Sequence, residues 1–202
     1  MIVVGVTGSL ATGKSFVAGI LKSLGADVLD ADRIAHRAIR KKSAQYRKAA
    51  AAFGRKILSD DGEIDRKALA GAVFSDEKKL RRLVKIVHPS VIKEIKRRLR
   101  IVSLRRRRSI VVIDAPLLIE SGLLDEVDIL IVVTSTRATQ LARAGRGLKL
   151  DKKDAVRRIR RQMPLAEKAK RADLIIDNDG SMARTKKQVV KVWKILKRLD
   201  LK

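Results

Sequence analysis

No cysteine occurs among the 202 residues, which excludes disulfides, thiolate metal sites and cysteine nucleophiles. Aromatic residues are nearly as scarce: Phe16, Phe53, Phe74, Tyr46 and Trp193 make up 2% of the chain. Proteins that grip single-stranded nucleic acid stack bases on several aromatics set among basic residues, and that interleaving is missing here. No apolar run approaches the ~20 residues a membrane-spanning helix requires. No charged segment with a cleavage site precedes the first glycine motif, so a soluble cytoplasmic protein is expected, with no membrane partner. The two histidines, His36 and His88, have no second histidine or acid at ligand spacing, so neither is expected to hold a metal.

What is abundant is charge of one sign. The chain carries 48 Lys and Arg against 22 Asp and Glu, a net charge of +26. Such an excess attracts polyanions, whether nucleotide phosphates, nucleic acid or acidic lipid, without choosing among them. The 46% hydrophobic content supplies a real core, and the length suits one α/β domain with insertions. Any nucleic-acid contact is therefore expected to be non-specific, and a monomer is expected.

Ile2 to Val6 is a short, β-branched apolar run of the kind that forms a strand buried on both faces. A glycine loop follows, then an amphipathic helix through about Leu24 closed by Gly25. Further strands are expected at Ala26 to Asp30, Ser109 to Asp114, Val127 to Val133 and Leu174 to Asp177, separated by helical patterns. Strands alternating with helices imply right-handed crossovers and a parallel five-stranded sheet with helices on both faces, a P-loop α/β fold. From about Asp32 to Val102 no buried strand is expected, only helices around an irregular middle, Phe53-Gly54 to Asp65-Arg66, with a turn at Asp61-Gly62. A second, basic and helical excursion runs from about Arg137 to Arg171. Val189, Val192, Trp193, Leu196 and Leu199 share one helical face that should pack on the sheet.

Gly8-Ser9-Leu10-Ala11-Thr12-Gly13-Lys14-Ser15 matches G-x-x-x-x-G-K-[ST] in full, between a predicted strand and a predicted helix. Its glycines let backbone N–H groups wrap a phosphate, and the helix N-terminus adds partial positive charge. Lys14 should reach the β and γ oxygens of ATP, and the Ser15 hydroxyl should ligate Mg²⁺. A glycine turn with a chance lysine would be the alternative.

Asp30-Ala31-Asp32 lies at the end of the second strand, on the edge where α/β sheets bind ligands. Two carboxylates at i and i+2 would leave a strand end on the same side, and one could accept a proton from an attacking hydroxyl. Asp32 is the candidate base, although it could simply cap the next helix. Ile110 to Asp114 has the form of a strand whose terminal carboxylate, Asp114, supports Mg²⁺. Of the arginines in the second excursion, Arg143 follows a strand end and is the candidate for stabilising transferred charge, while Arg157 to Arg161 read as a solvated face. Arg105 to Arg108 read as a solvated loop, with a phosphate contact as the alternative.

These residues, in this order, resemble the dephospho-coenzyme A kinase family from Val4 to about Val190. The matching pieces are Gly5 to Gly8 leading into the P-loop, Asp30 to Ala35, Phe53-Gly54, Asp61 to Arg66 with Leu69, Val73-Phe74 and His88-Pro89. After them come Pro116-Leu117-Leu118-Ile119-Glu120, Gln140 with Arg143, Gln162, Ala172-Asp173 and Ile176 to Asn178. The resemblance implies ATP-dependent phosphorylation of the ribose 3′-hydroxyl of dephospho-coenzyme A. It implies three parts in one kinase domain: a core (about 1–31, 103–136 and 172–202), a helical coenzyme-binding region (about 32–102) and a lid (about 137–171). Asp32 matches the proposed base, and Lys14, Ser15 and Arg143 match the phosphate and Mg²⁺ contacts. Gly8, Ala11, Thr12, Gly13 and Phe16 complete the nucleotide-binding loop, and Asn178 falls in the loop near the adenine. Asp30, His88, Pro116, Leu117 and Glu120 are assigned to the acceptor side.

The chain departs from the family pattern Gly-Gly-Ile-Gly-Ser-Gly-Lys-Ser-Thr at Ser9, Ala11 and Phe16. Ala11 replaces a glycine where the loop calls for positive φ, and Phe16 replaces a threonine and is expected to crowd the helix start. In the lid, Gly147 stands where the family has an arginine, with Arg146 one place early. Another small-metabolite or nucleoside monophosphate kinase, a basic nucleic-acid-binding P-loop protein and an inactive variant are the competing readings.

Overall fold

The protein is described from a computed structural model in which residues 1–74, 76–105 and 109–200 are defined; Arg106, Arg107 and Arg108, from the basic run singled out above, lie outside them. Five strands, β1 (Ile2–Gly8), β2 (Asp27–Asp30), β3 (Ile110–Asp114), β4 (Ile129–Thr134) and β5 (Leu174–Asp177), form one sheet in the order β2-β3-β1-β4-β5. Every pairing is parallel. The strand carrying the glycine loop is thus central, flanked by two strands that follow it in sequence by more than a hundred residues.

The period-2 pleat sorts the side chains. Val4, Val6, Ile110, Val112, Ile131, Val133 and Ile176 join one core cluster. Val17, Ala18, Ile20 and Leu21 of helix α1 (Lys14–Ser23) and Val189, Val192 and Leu196 of the C-terminal helix (Met182–Asp200) complete it. The alternate residues Val111, Ile113, Leu130 and Val132 are equally buried on the other face, as a parallel sheet requires. There the space beside Gly5 is filled by Leu118 and Val127. Trp193 packs against the first cluster, but Leu199 is 42% exposed, contrary to the expected stripe. A period of 3.6 carries position i+10 round toward the edge of the apolar face, and the last turn reaches solvent.

Gly25 closes α1 as expected. Its φ is 112°, its N–H donates to the Lys22 carbonyl, and the Ala26 N–H reaches back to Leu21 O. This double closure is a Schellman motif, which favours a residue without Cβ at that position.

The chain divides into two compact units, residues 1–30 with 99–202, and residues 31–98. The second contains α2 (Ala31–Ala38), α3 (Ala44–Phe53), a 3₁₀ turn (Arg55–Ile57), α4 (Arg66–Phe74) and most of α5 (Glu77–Arg105). It has its own buried apolar residues, among them Ile34, Phe53, Ile57, Leu69, Val87 and Ile95. The irregular middle is closed by a bridge between Leu58 and Ile64 around the turn at Asp61-Gly62, where the Gly62 N–H donates to Ser59 O. Pro89 lies inside α5, where it removes one helical N–H.

In the first unit, β4 is followed by α6 (Arg137–Leu148), α7 (Lys152–Arg160) and α8 (Leu165–Lys170). The Thr136 and Asp151 side chains cap α6 and α7, accepting from the N–H groups of Thr139 and Asp154. The C-terminal helix is α9.

Candidate active site

The loop from Ser9 to Gly13 joins the central strand to α1. Two of its residues take left-handed backbone, Ala11 at φ 59° and Gly13 at φ 87°. A Cβ at Gly13 would collide with the Asn178 amide, so both conformation and space demand glycine there. Within the loop, Thr12 turns back on Ser9: its N–H (3.3 Å) and its hydroxyl (3.0 Å) both donate to the Ser9 carbonyl. Helix α1 has no side-chain cap and no acid in its first turn. Its leading N–H groups and the positive end of its dipole are therefore directed at whatever anion the loop encloses.

The back of the loop is fixed from two other elements. The Asn178 side chain, just past β5, donates to the Thr12 carbonyl at 2.7 Å, and its own carbonyl oxygen accepts from Thr185 Oγ1 of α9 at 2.7 Å. Arg143 of α6 donates to Thr12 O (3.4 Å) and to Asn178 O (2.8 Å). Asn178, expected near the adenine, is buried and gives its amide to the phosphate loop. Arg143 lies along the same loop, with Thr139, Ala142, Arg146 and Gly147 lining an open recess of about 440 Å³ beside it. Asp179 receives the N–H and hydroxyl of Thr136, and hydrogen bonding to Thr139 and Thr136 holds its carboxyl below the usual range.

Lys14 extends from the first residue of α1 to Asp114, with Nζ 3.1 Å from Oδ1, both side chains largely buried. That oxygen has no aligned hydrogen-bond donor, so its partner is the Lys14 charge alone. Asp114 ends β3, where it is in register with Asp30 of β2 and Val6 of β1. The sheet thus presents two carboxylates at its carboxyl edge. Among the described residues no three His, Cys, Asp or Glu cluster as a metal cage. One carboxylate and one hydroxyl, Asp114 and Ser15, suit Mg²⁺, which keeps waters and takes phosphate oxygens rather than an all-protein shell.

Ser15 and Phe16 follow Lys14 at the exposed start of α1. Phe16 is 37% exposed and so does not crowd the helix start, contrary to expectation: its side chain leaves the buried face of Val17, Ala18, Ile20 and Leu21.

After β3 the chain turns through Pro116 and Leu117 to Glu120. The Pro116 carbonyl accepts from Thr7 Oγ1 (3.2 Å) and from Lys168 Nζ (2.6 Å). Glu120 also binds Lys168, at 2.9 Å, and accepts the Met163 N–H at 3.0 Å. The Lys168 side chain is fully buried; burial lowers its pKa, Glu120 pulls it back, and Lys14 lowers it further.

The second unit opens with α2 at Ala31, directly after β2, so Asp32 stands exposed in the first turn of a helix. The same-side rule for a strand therefore ends at Asp30 and does not carry to Asp32. His88 is half-buried in α5 one residue before Pro89, and burial pushes its imidazole pKa down.

Sequence reasoning passed over Lys168 and Thr185. A lysine in a basic helix reads as solvated, and a threonine in α9 carries no signal of its partner. Gln162 and Asp173 entered only through the family pattern. Asp173 lies just before β5 and accepts the Leu130 N–H at 2.7 Å, bridging that strand to β4.

A parallel sheet with a glycine-rich phosphate loop between its central strand and first helix defines the P-loop kinase class of fold. Shikimate kinase from Bacteroides thetaiotaomicron, 9% identical, shares that fold over 96% of this chain and 98% of its own at a TM-score of 0.53. Within the class the match is specific: the Dephospho-CoA kinase family model matches residues 2–184. Dephospho-CoA kinase of Bacillus thuringiensis is 41% identical over 198 residues, covering 96% of this chain and 98% of the relative. The solved dephospho-CoA kinase from Campylobacter jejuni is 30% identical, with 98% of each chain covered and a TM-score of 0.72. The chain belongs to the dephospho-CoA kinase family.

Proposed function

We propose that this protein transfers the γ-phosphoryl group of ATP to the ribose 3′-hydroxyl of dephospho-coenzyme A, giving coenzyme A and ADP. The phosphate loop with Lys14 paired to Asp114 is the observation that carries this reading, and family membership selects the acceptor. In the reaction the acceptor O3′–H bond breaks, O3′ bonds to the γ-phosphorus, and the bond from that phosphorus to the β-bridging oxygen breaks. Asp32 takes the proton, as base. Gly8, Ala11, Thr12, Gly13 and Phe16 belong to the loop that would enclose the phosphates, with Asn178 and Arg143 holding its back. Lys14 would exchange Asp114 for phosphate oxygens as nucleotide enters. Ser15 and Asp114 would hold Mg²⁺, which when bound neutralises charge on the β and γ oxygens. Arg143 would have to turn from Thr12 and Asn178 to face the transferring group, and Asp30, His88, Pro116, Leu117 and Glu120 would lie on the acceptor side. The enzyme would act as a monomer in the cytoplasm, holding nucleic acid through charge alone.

The test is ADP release with Mg·ATP in the presence and absence of dephospho-coenzyme A, with the product weighed for one added phosphate. Asp32→Ala should lower kcat by about 10²–10⁴-fold while calorimetry still registers ATP binding. Full turnover by this variant would remove Asp32 from the base role, and ADP release indifferent to the acceptor would remove the substrate assignment.

A further inference from the structure

The segment joining α7 to α8 touches the phosphate loop at a point the reaction scheme leaves without a role. Gln162 Oε1 accepts two hydrogen bonds from the front of the loop, from the Leu10 N–H at 2.9 Å and from Ser9 Oγ at 3.0 Å. Its neighbours in sequence are tied down separately. The Met163 N–H donates to Glu120, and Lys168 Nζ contacts both Glu120 and the Pro116 carbonyl. Pro116 O in turn accepts from Thr7, two residues before Ser9. The contacts close a circuit: Thr7 to Pro116, Lys168, Glu120, Met163, Gln162, and back to Ser9 and Leu10.

Each link is of a kind that resists rearrangement. Lys168 is fully buried, so withdrawing Glu120 or the Pro116 carbonyl would strand an ammonium without solvent. Oε1 of Gln162 serves two donors on adjacent residues, which fixes the chain direction immediately before Ala11. Ala11 is where the loop takes left-handed backbone without a glycine, so the residue itself does not favour the turn and only the Thr12–Ser9 hydrogen bonds hold it locally. The Thr12 and Asn178 contacts hold the loop after Ala11, and Gln162 holds it before.

We propose that Gln162 is a positioning residue for nucleotide binding: it holds Ser9 and Leu10 so that the phosphate loop is already formed when the anion arrives, and the Lys168–Glu120 pair holds Gln162 in place. The inference rests on the loop being the nucleotide site, the first element of the proposed function, but not on the identity of the acceptor. Pre-forming a loop raises affinity by removing the ordering cost from the binding step.

Calorimetric titration of the full-length protein with Mg·ATP tests this on wild type, Gln162→Met, Ser9→Ala and the double variant. Removing two ordinary hydrogen bonds to the loop should weaken Mg·ATP binding by roughly tenfold for Gln162→Met and about threefold for Ser9→Ala. In the Gln162→Met background Ser9→Ala should add nothing, because the two share one acceptor. The KM for dephospho-coenzyme A should stay within about twofold of wild type. Unchanged or tighter Mg·ATP binding by Gln162→Met, or simple additivity of the two substitutions, overturns the proposal. Should Gln162→Met fail to fold, Ser9→Ala decides alone, and unchanged affinity there overturns it. A wild type that binds Mg·ATP but phosphorylates no acceptor refutes the proposed function while leaving this cycle readable. A wild type that binds no nucleotide overturns both.

Discussion

Ala11 combines a legible sequence departure with a measurable structural consequence. Its φ of 59° places a Cβ in left-handed backbone, which costs about 1 kcal/mol relative to glycine. Ala11→Gly should therefore stabilise the protein by up to about 1 kcal/mol, a rise of roughly 2–4 °C in Tm by calorimetry. The gain will be smaller where the freer unfolded chain offsets it; a lower Tm would show that Ala11 makes a contact outweighing its strain. The loop residues themselves were readable because G-x-x-x-x-G-K-[ST] is a contiguous pattern. What holds the loop was not: Asn178 and Arg143 reach Thr12 across sequence separations of 166 and 131 residues. No local period encodes such contacts, and Lys168 is hidden for the opposite reason, because its residue type argues for solvent.

Among the elements, strands and helices were legible where burial imposes a period. The four downstream strands were placed within two residues of their observed limits, and the absence of strands between Asp32 and Val102 holds among the described residues. The error falls where burial fades, at Leu199 in the last turns of α9. The short helix α8 is the element least expected from its sequence to be held firmly, since it is only six residues long and lacks a side-chain cap. Its anchor is the buried Lys168, so Lys168→Met should destabilise the protein by about 3 kcal/mol. The value sits at the lower end for a broken buried pair because the Glu120 side chain is 24% exposed and can recruit water. Urea unfolding would measure it, and a loss below about 1 kcal/mol would mean the pair behaves as a surface one.

For the molecule as a whole, the dominating quantity is the net charge of +26. The acids that are present are well used: Glu94 accepts from both Arg97 and Arg98, and its carboxyl is pulled down to about 2, chiefly by the Arg97 hydrogen bond. The 48 cations nevertheless outnumber the 22 acids, and their mutual repulsion opposes the compact state. Raising monovalent salt from about 0.02 to 0.3 M shortens the screening length from roughly 20 to 6 Å. The Tm should therefore rise across that range. A fall would show that attractive pairs such as Glu94 with its arginines outweigh the repulsion.

The central placement of β1 also sets an order of events during synthesis. β1, which carries the phosphate loop, leaves the ribosome before the other four strands of its sheet, yet its hydrogen-bonding neighbours, β3 and β4, begin at residues 110 and 129. The amide that braces the loop from behind is not made until residue 178. A nascent chain therefore displays an apolar β-branched strand with both edges unpaired for about a hundred residues of synthesis, the condition under which strands recruit wrong partners. The strand made before its four partners is thus among the last to become functional, and for that interval the chain depends on its surroundings, not its own fold, to keep that strand unpaired.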